Sequence, residues 1–193
     1  MTEPATQSMC GYCFDTLMHN FSPSVSITPP DFPIEEYPLF VTWHKNGHLR
    51  GCIGTFSSMR IDEGLREYSL ISALQDSRFR PVVANEIPEL SVDISLLHSF
   101  EKASKWNDWQ IGKHGIRVKY THEGQTFGAT YLPNVMPEQG WNQEQAVTSC
   151  LRKGRFYGKF DDTVKNNVEV TRYQSSIAKM SYQEYLEWKK GKS

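Results

Sequence analysis

The chain has 193 residues, 38% of them hydrophobic, with ten Phe, nine Tyr and five Trp, and a formal net charge of −1. That is enough apolar material for a well-buried core in one domain or two small subdomains, and it excludes an intrinsically disordered chain. The near-neutral balance excludes a global field that would draw the chain onto nucleic acid or an anionic membrane, so any such binding needs a local patch.

No run of 18 apolar residues occurs, and the N-terminal MTEPATQSMC has neither a basic start nor an apolar signal core. A soluble chain inside the cell, in cytoplasm or nucleus and without membrane contact, is therefore expected. SMCGYCFDTLMHNF places Cys10, Phe14, Leu17, Met18 and Phe21 at helical spacing and predicts an amphipathic helix. Cys10 and Cys13 form a CxxC without a second pair at zinc-ligand spacing, so they are read as packing inward, and no metal site or cofactor is expected. With Cys52 and Cys150 they are too few and too spread for a secreted disulfide framework, which predicts reduced thiols.

Five prolines between Pro23 and Pro38 end the helix and carry an extended linker. PLFVTWHKNGHLRGCIGTF is then apolar, aromatic and β-branched on both sides of Asn46-Gly47, the dipeptide suited to a type I′ turn, and predicts a β-hairpin. A helix is predicted from about Asp62 to Gln75 and an alternating strand at Leu90–Leu97.

A shift of 77 residues lays this first half on the second without a gap. Gly47 meets Gly124, Gly51 meets Gly128, Met59 meets Met136, and Arg78-Phe79 meets Arg155-Phe156. The strand at Leu90 lands on NVEVTRYQ, and Ser181-Tyr-Gln-Glu184 reads as a capping box opening a terminal helix. The predicted fold class is α+β: one domain over 1–193, built by internal duplication from two related hairpin–helix–strand subdomains, about 8–100 and about 108–190, which share a curved, barrel-like antiparallel sheet.

The repeat separates structural from functional residues. Gly51 and Gly128, like Arg78 and Arg155, occur in both halves and are read as structural. Arg50 and Cys52 correspond to Phe127 and Ala129, so the fold tolerates apolar residues there and their polarity needs another reason. Strand alternation puts His48, Arg50 and Cys52 on one face, with successive same-face residues roughly 6.6 Å apart, close enough for the guanidinium to favour a Cys52 thiolate. Two readings stand: a ligand-facing site with Cys52 as a thiol nucleophile, or a small buried Cys52 with Arg50 paired to a carboxylate such as Asp76 or Asp93.

Further candidates carry a bland alternative each. His114, between glycines in GKHG, is a loop donor or a turn cap. Glu138 and Trp141 sit at the entrance of a helix predicted to begin about Asn142, where they meet an anionic ligand or serve as capping residues. LRKGRFYGKF interleaves Arg152, Lys153, Arg155 and Lys159 with Phe156, Tyr157 and Phe160, a pattern suited to phosphate or single-stranded nucleic acid, and equally to a solvated helix C-terminus.

LRGCIGTF, DSRFRP at Asp76–Pro81, GKHGI, YLPNVMPEQGW and the TRYQS…SYQEYL ending together resemble the AMMECR-one domain family, from about Met9 to Leu186. The resemblance implies an α+β fold of two related subdomains with a cleft between them. It also implies a pathway shared with Memo-type and radical-SAM proteins, the partners by which prokaryotic members are accompanied, and a nucleic-acid-related role. It brings no settled reaction, and no GxSxG, HExxH or phosphate-binding glycine loop supplies one. Two functions are therefore expected as alternatives. One is binding of a small anionic or modified ligand beside LRGCIG, through Arg50, Gly51, Gly54, Asp76, His114, Glu138 and Trp141, with thiol chemistry at Cys52. The other is a non-catalytic nucleic-acid or protein interaction module using residues 151–160.

Overall fold

The computed structural model describes residues 3–192. In chain order these form helix α1 (Gln7–Phe21), strands β1 (Glu36–Lys45) and β2 (His48–Arg60), helix α2 (Ile61–Leu74), a 3-10 turn at Ala84–Glu89 and strand β3 (Leu90–Lys102). Strands β4 (Gly115–His122) and β5 (Gln125–Tyr131), helices α3 (Val135–Gln139), α4 (Gln143–Lys153) and α5 (Asp162–Asn167), strand β6 (Glu169–Ser181) and helix α6 (Tyr182–Lys190) follow. The strands hydrogen-bond in the order β2-β1-β3-β6-β4-β5. β1 runs antiparallel to β2 and β3, as β4 does to β5 and β6, giving the α+β fold that the sequence predicts. No helix among the described residues is long and apolar enough to cross a membrane.

Two compact units divide the chain: the residues up to Leu97 together with those from Ser176 on, and His98–Ser175. This corrects the expected boundaries, because the C-terminal helix belongs to the first unit and not to the second. Packing chemistry explains it. The Tyr185 ring stacks on Phe14 at 4.8 Å, the Tyr185 hydroxyl donates to Asp15 Oδ1 at 2.7 Å, and Lys189 Nζ donates to the same oxygen at 2.7 Å. Asp15 is fully enclosed, and without α6 its carboxylate would keep only the Thr28 N–H on Oδ2 and lose its one cationic partner among the described residues.

In the first unit, Leu39, Val41 and Trp43 of β1 alternate onto one face with Val92, Ile94 and Leu96 of β3, all fully buried. Helices α1 and α2 cover that face: Phe14 meets the Trp43 ring edge-on at 5.1 Å, and Trp43 Nε1 donates to the Ser69 carbonyl at 2.9 Å. Cys10 and Cys13 pack inward on α1, as the sequence suggests. In the second unit, Ile116, Val118 and Tyr120 of β4 pack with Ala146, Val147, Cys150 and Leu151 of α4.

Both hairpins turn through two residues of positive φ: Asn46 at 49° and Gly47 at 81°, Glu123 at 49° and Gly124 at 78°. From the second turn the ladder runs without interruption, pairing His122 with Gln125, Tyr120 with Phe127 and Lys119 with Gly128. The first breaks step. Lys45 pairs with His48 and His44 with Leu49, but Trp43 pairs with Gly51 and Thr42 with Cys52. Arg50 is the extra residue of a β-bulge. The predicted common face for His48, Arg50 and Cys52 therefore fails, because the alternation restarts beyond the bulge.

Candidate functional site

Displaced from the ladder, Arg50 reaches the 3-10 turn. Its Nε and Nη2 donate to the two Glu86 oxygens, each at 3.1 Å, and Nη1 donates to the Arg80 carbonyl at 2.7 Å. The Arg50 and Glu86 side chains are only 14% and 12% exposed. Burial raises the Glu86 pKa, but Arg50, the Val83 N–H and Lys45 outweigh it and bring the carboxyl down to about 2. The carboxylate partner of Arg50 is thus Glu86, neither Asp76 nor Asp93, and all three nitrogens of this guanidinium are engaged by the protein itself.

The two glycines of the motif answer to close packing. A Cβ on Gly51 would collide with the Ser72 carbonyl of α2, and one on Gly54 with the Leu39 carbonyl and the Phe40 backbone. β2 is an edge strand, and its outward groups at Cys52 are met by the loop after α2. The Cys52 N–H donates to Asp76 Oδ2 at 3.0 Å, and Arg78 Nη2 donates to the Cys52 carbonyl at 3.3 Å. Arg78 is itself clamped to Asp76 through Nε at 3.0 Å and Nη2 at 2.7 Å. The Arg78 guanidinium, with the Cys52 N–H, holds the Asp76 carboxyl far below the usual carboxylate range. This pair finishes the sheet edge in place of a further strand.

Cys52 points to the sheet face opposite Trp43. Thr42 Oγ1 donates to its sulfur at 3.1 Å. Ladder register continues the row from Thr42 to Asp93, and Lys179 Nζ and His44 Nδ1 lie 3.5 Å and 3.9 Å from the Asp93 carboxylate. His44, Asp93 and Lys179 also line a shallow cavity of about 370 Å³ with Ser91, Ser181 and Glu184. Cys52 is half-buried while Cys10, Cys13 and Cys150 are buried, and burial pushes the Cys10 and Cys150 thiols up to about 12.

The remaining candidates belong to the second unit. His114 is 4% exposed and its Nδ1 accepts the Gln110 N–H at 2.9 Å, closing the turn before β4. Burial and then Arg172 lower its pKa, favouring the neutral ring. Glu138 accepts from Asn134 Nδ2 at 3.0 Å on the surface. Asn142 caps α4 in a reciprocal capping box with Gln145, and Trp141 lines a cavity that also includes Arg152. Lys153 donates to the Thr130 carbonyl at 2.8 Å and sits over the Tyr131 ring. Arg152, Arg155 and Lys159 are exposed, as is Tyr157, whereas Phe156 packs on Tyr120 and Phe127, and Phe160 on Trp106.

Sequence reasoning missed Thr42 and the placement of Arg78. A regular two-residue turn would set Cys52 opposite Val41, so only the bulge brings Thr42 to the sulfur. Arg78 carried a signal, its position two residues from Asp76, but its occurrence in both halves led to a purely structural reading.

The sequence profile of the AMMECR1 family matches residues 10–178. An uncharacterised protein of Arabidopsis thaliana is 42% identical over 96% of this chain and 90% of its own length. An uncharacterised protein of Saccharomyces cerevisiae is 37% identical over 81% and 74%. The crystal structure of an uncharacterised protein of Pyrococcus horikoshii has the same fold, with a TM-score of 0.72 over 94% of each chain at 21% identity. With profile and relatives agreeing over most of its length, the chain belongs to the AMMECR1 family.

Proposed function

We propose that the chain binds a small anionic ligand, or the anionic group of a modified residue, beside Cys52 at the edge of β2, with Arg78 in the role first expected of Arg50. The observation that carries this reading is the Arg78 side chain. It is 56% exposed, it is held by Asp76 and the Cys52 carbonyl through Nε and Nη2 and lies over the Phe79 ring at 5.4 Å, and its Nη1 makes no hydrogen bond among the described residues. A guanidinium fixed in this way gives an anion a preorganised donor. Thiol chemistry at Cys52 is the second element, supported by a sulfur that is only half-buried and by the Thr42 hydroxyl that donates to it and fixes its position.

Methanethiosulfonate reagents of opposite charge test the site. The anionic sulfonate reagent is expected to modify Cys52 about threefold faster than the cationic trimethylammonium reagent, and Arg78→Gln to abolish the preference. Equal rates on the native chain would sink the reading.

The competing function, contact with single-stranded nucleic acid, is favoured by the exposure of Arg152, Arg155 and Lys159 beside Tyr157. It keeps only one ring of its segment for stacking, since Phe156 and Phe160 serve the core. It requires binding that weakens steeply with salt and is lost on charge reversal at Arg152 and Lys153.

A further inference from the structure

Helix α4 carries an aligned set of unused donors. Ala146, Val147, Cys150 and Leu151 face the core, while Gln145, Thr148 and Arg152, spaced i, i+3 and i+7, stack along one outward stripe. With Trp141 just ahead of the Asn142 cap, and with Glu144 and Ser149, they line an open cavity of about 460 Å³. The Arg152 guanidinium, the Thr148 hydroxyl and the Gln145 amide nitrogen have no partner among the described residues. Only the Gln145 oxygen is used, accepting the Asn142 N–H at 2.9 Å. The other lining groups are occupied: Glu144 pairs with Lys165 at 3.3 Å and Ser149 shares a hydrogen bond with the Tyr131 hydroxyl at 2.8 Å. The Trp141 ring lies 5.6 Å from that of Tyr131, which backs it.

We propose that this stripe is a docking groove for a short acidic segment of a partner protein, laid along α4 with an apolar residue on Trp141 and a carboxylate on Arg152. The span decides the form of the occupant. Trp141 and Arg152 stand eleven positions apart, about 16 Å at a helical rise of about 1.5 Å per residue. That length is covered by about five extended residues, so the apolar anchor and the carboxylate stand four or five positions apart. The donors of Gln145 and Thr148 meet peptide carbonyls between them. Charge decides the sign: Arg152 lines the far end, with Lys153 and Arg155 close by in sequence and likewise exposed, and a carboxylate there forms a bidentate pair with an open guanidinium. A nucleic-acid strand fits less well, because it lays a phosphate at every nucleotide, including beside the Glu144 carboxylate at the Trp141 end, whereas the peptide places its carboxylate only at the Arg152 end.

Selection of random heptapeptides displayed on phage against the full chain tests this, with affinities of the enriched peptides measured by fluorescence anisotropy. The expected peptides carry an apolar or aromatic residue and a carboxylate four or five positions apart. Arg152→Glu is expected to weaken them about tenfold or more, while Arg152→Lys retains part of the binding. Trp141→Ala is expected to weaken them as well. Arg152 is exposed and has no hydrogen-bond or ionic partner among the described residues, so its variants test binding even if the Trp141 variant folds poorly, with an unchanged melting temperature as the check on α4. Absence of enrichment, enriched peptides lacking a carboxylate, or unchanged affinity in Arg152→Glu would overturn the proposal. So would Arg152-dependent binding of a single-stranded oligoribonucleotide without peptide binding, which would give the groove to nucleic acid.

Discussion

Gly51 stands opposite Trp43 in the β1–β2 ladder, and it stands there because Arg50 has been displaced into a bulge. In the second hairpin Tyr120, which the 77-residue shift lays on Trp43, pairs directly with Phe127, which it lays on Arg50. One hairpin thus offers an aromatic side chain to its core where the other offers bare backbone to α2.

That backbone contact makes Gly51 more sensitive to substitution than Gly128. A methyl group at Gly51 must displace the Ser72 carbonyl of α2, whereas at Gly128 it meets only the Val118 carbonyl at 3.0 Å. Gly51→Ala is expected to cost about 3 kcal/mol in urea unfolding and Gly128→Ala about 1 kcal/mol. Equal losses would mean that α2 moves aside freely.

Acid should loosen the Arg50–Glu86 link. The folded-state pKa of Glu86, about 2, lies below its ordinary value of 4.5, so its stabilisation is complete above 4.5 and is lost as pH falls toward 2. Asp76, also depressed, acts in the same direction. Glu86→Gln is expected to remove on the order of 2 kcal/mol at pH 7 and to flatten the decline between pH 4.5 and 2. Thermal melts across that range read both effects.

Removing the buried charge in the middle of α1 should free α6. Asp15→Ala removes the acceptor of the Tyr185 hydroxyl and the carboxylate partner of Lys189, which keeps only the Ser26 carbonyl and the Thr28 hydroxyl, with an expected loss of about 3 kcal/mol. Hydrogen exchange should accelerate in Tyr182–Lys190 before it does in β4, because the two belong to different units.

Thiol accessibility should separate the four cysteines. Iodoacetamide at pH 8 is expected to alkylate Cys52 in the native chain and to reach Cys10, Cys13 and Cys150 only on unfolding, since they are buried and their thiolates disfavoured. Thr42→Val should slow Cys52 by removing the hydroxyl from its sulfur. Mass spectrometry of tryptic peptides over time gives each rate.

Local chemistry made much of the fold legible. Asn46-Gly47 specified a turn of two positive-φ residues, and Ser181 with Glu184 and Asn142 with Gln145 set helix starts, because each depends on neighbours in the chain. The helix at Gln7–Phe21 followed from its apolar spacing. Placing α6 with the first unit required contacts 170 residues apart in sequence, between Asp15 and Tyr185, which no local pattern encodes.

The candidate site shows the same boundary more sharply. LRGCIG by itself determined a strand, its turn and the need for glycine, and the difference between Arg50 and Phe127 marked a residue that the ladder could not use in the same way. Only the tertiary structure decided what that difference meant. In an unbroken register Arg50 would stand opposite Trp43 on the buried face, where an unpaired guanidinium is costly to desolvate. The bulge sends it to Glu86, brings Gly51 against α2, turns Cys52 toward Thr42, and leaves the cation at the Cys52 edge to be Arg78. A single inserted ladder position costs nothing that a sequence pattern records, yet it reassigns every side chain beyond it.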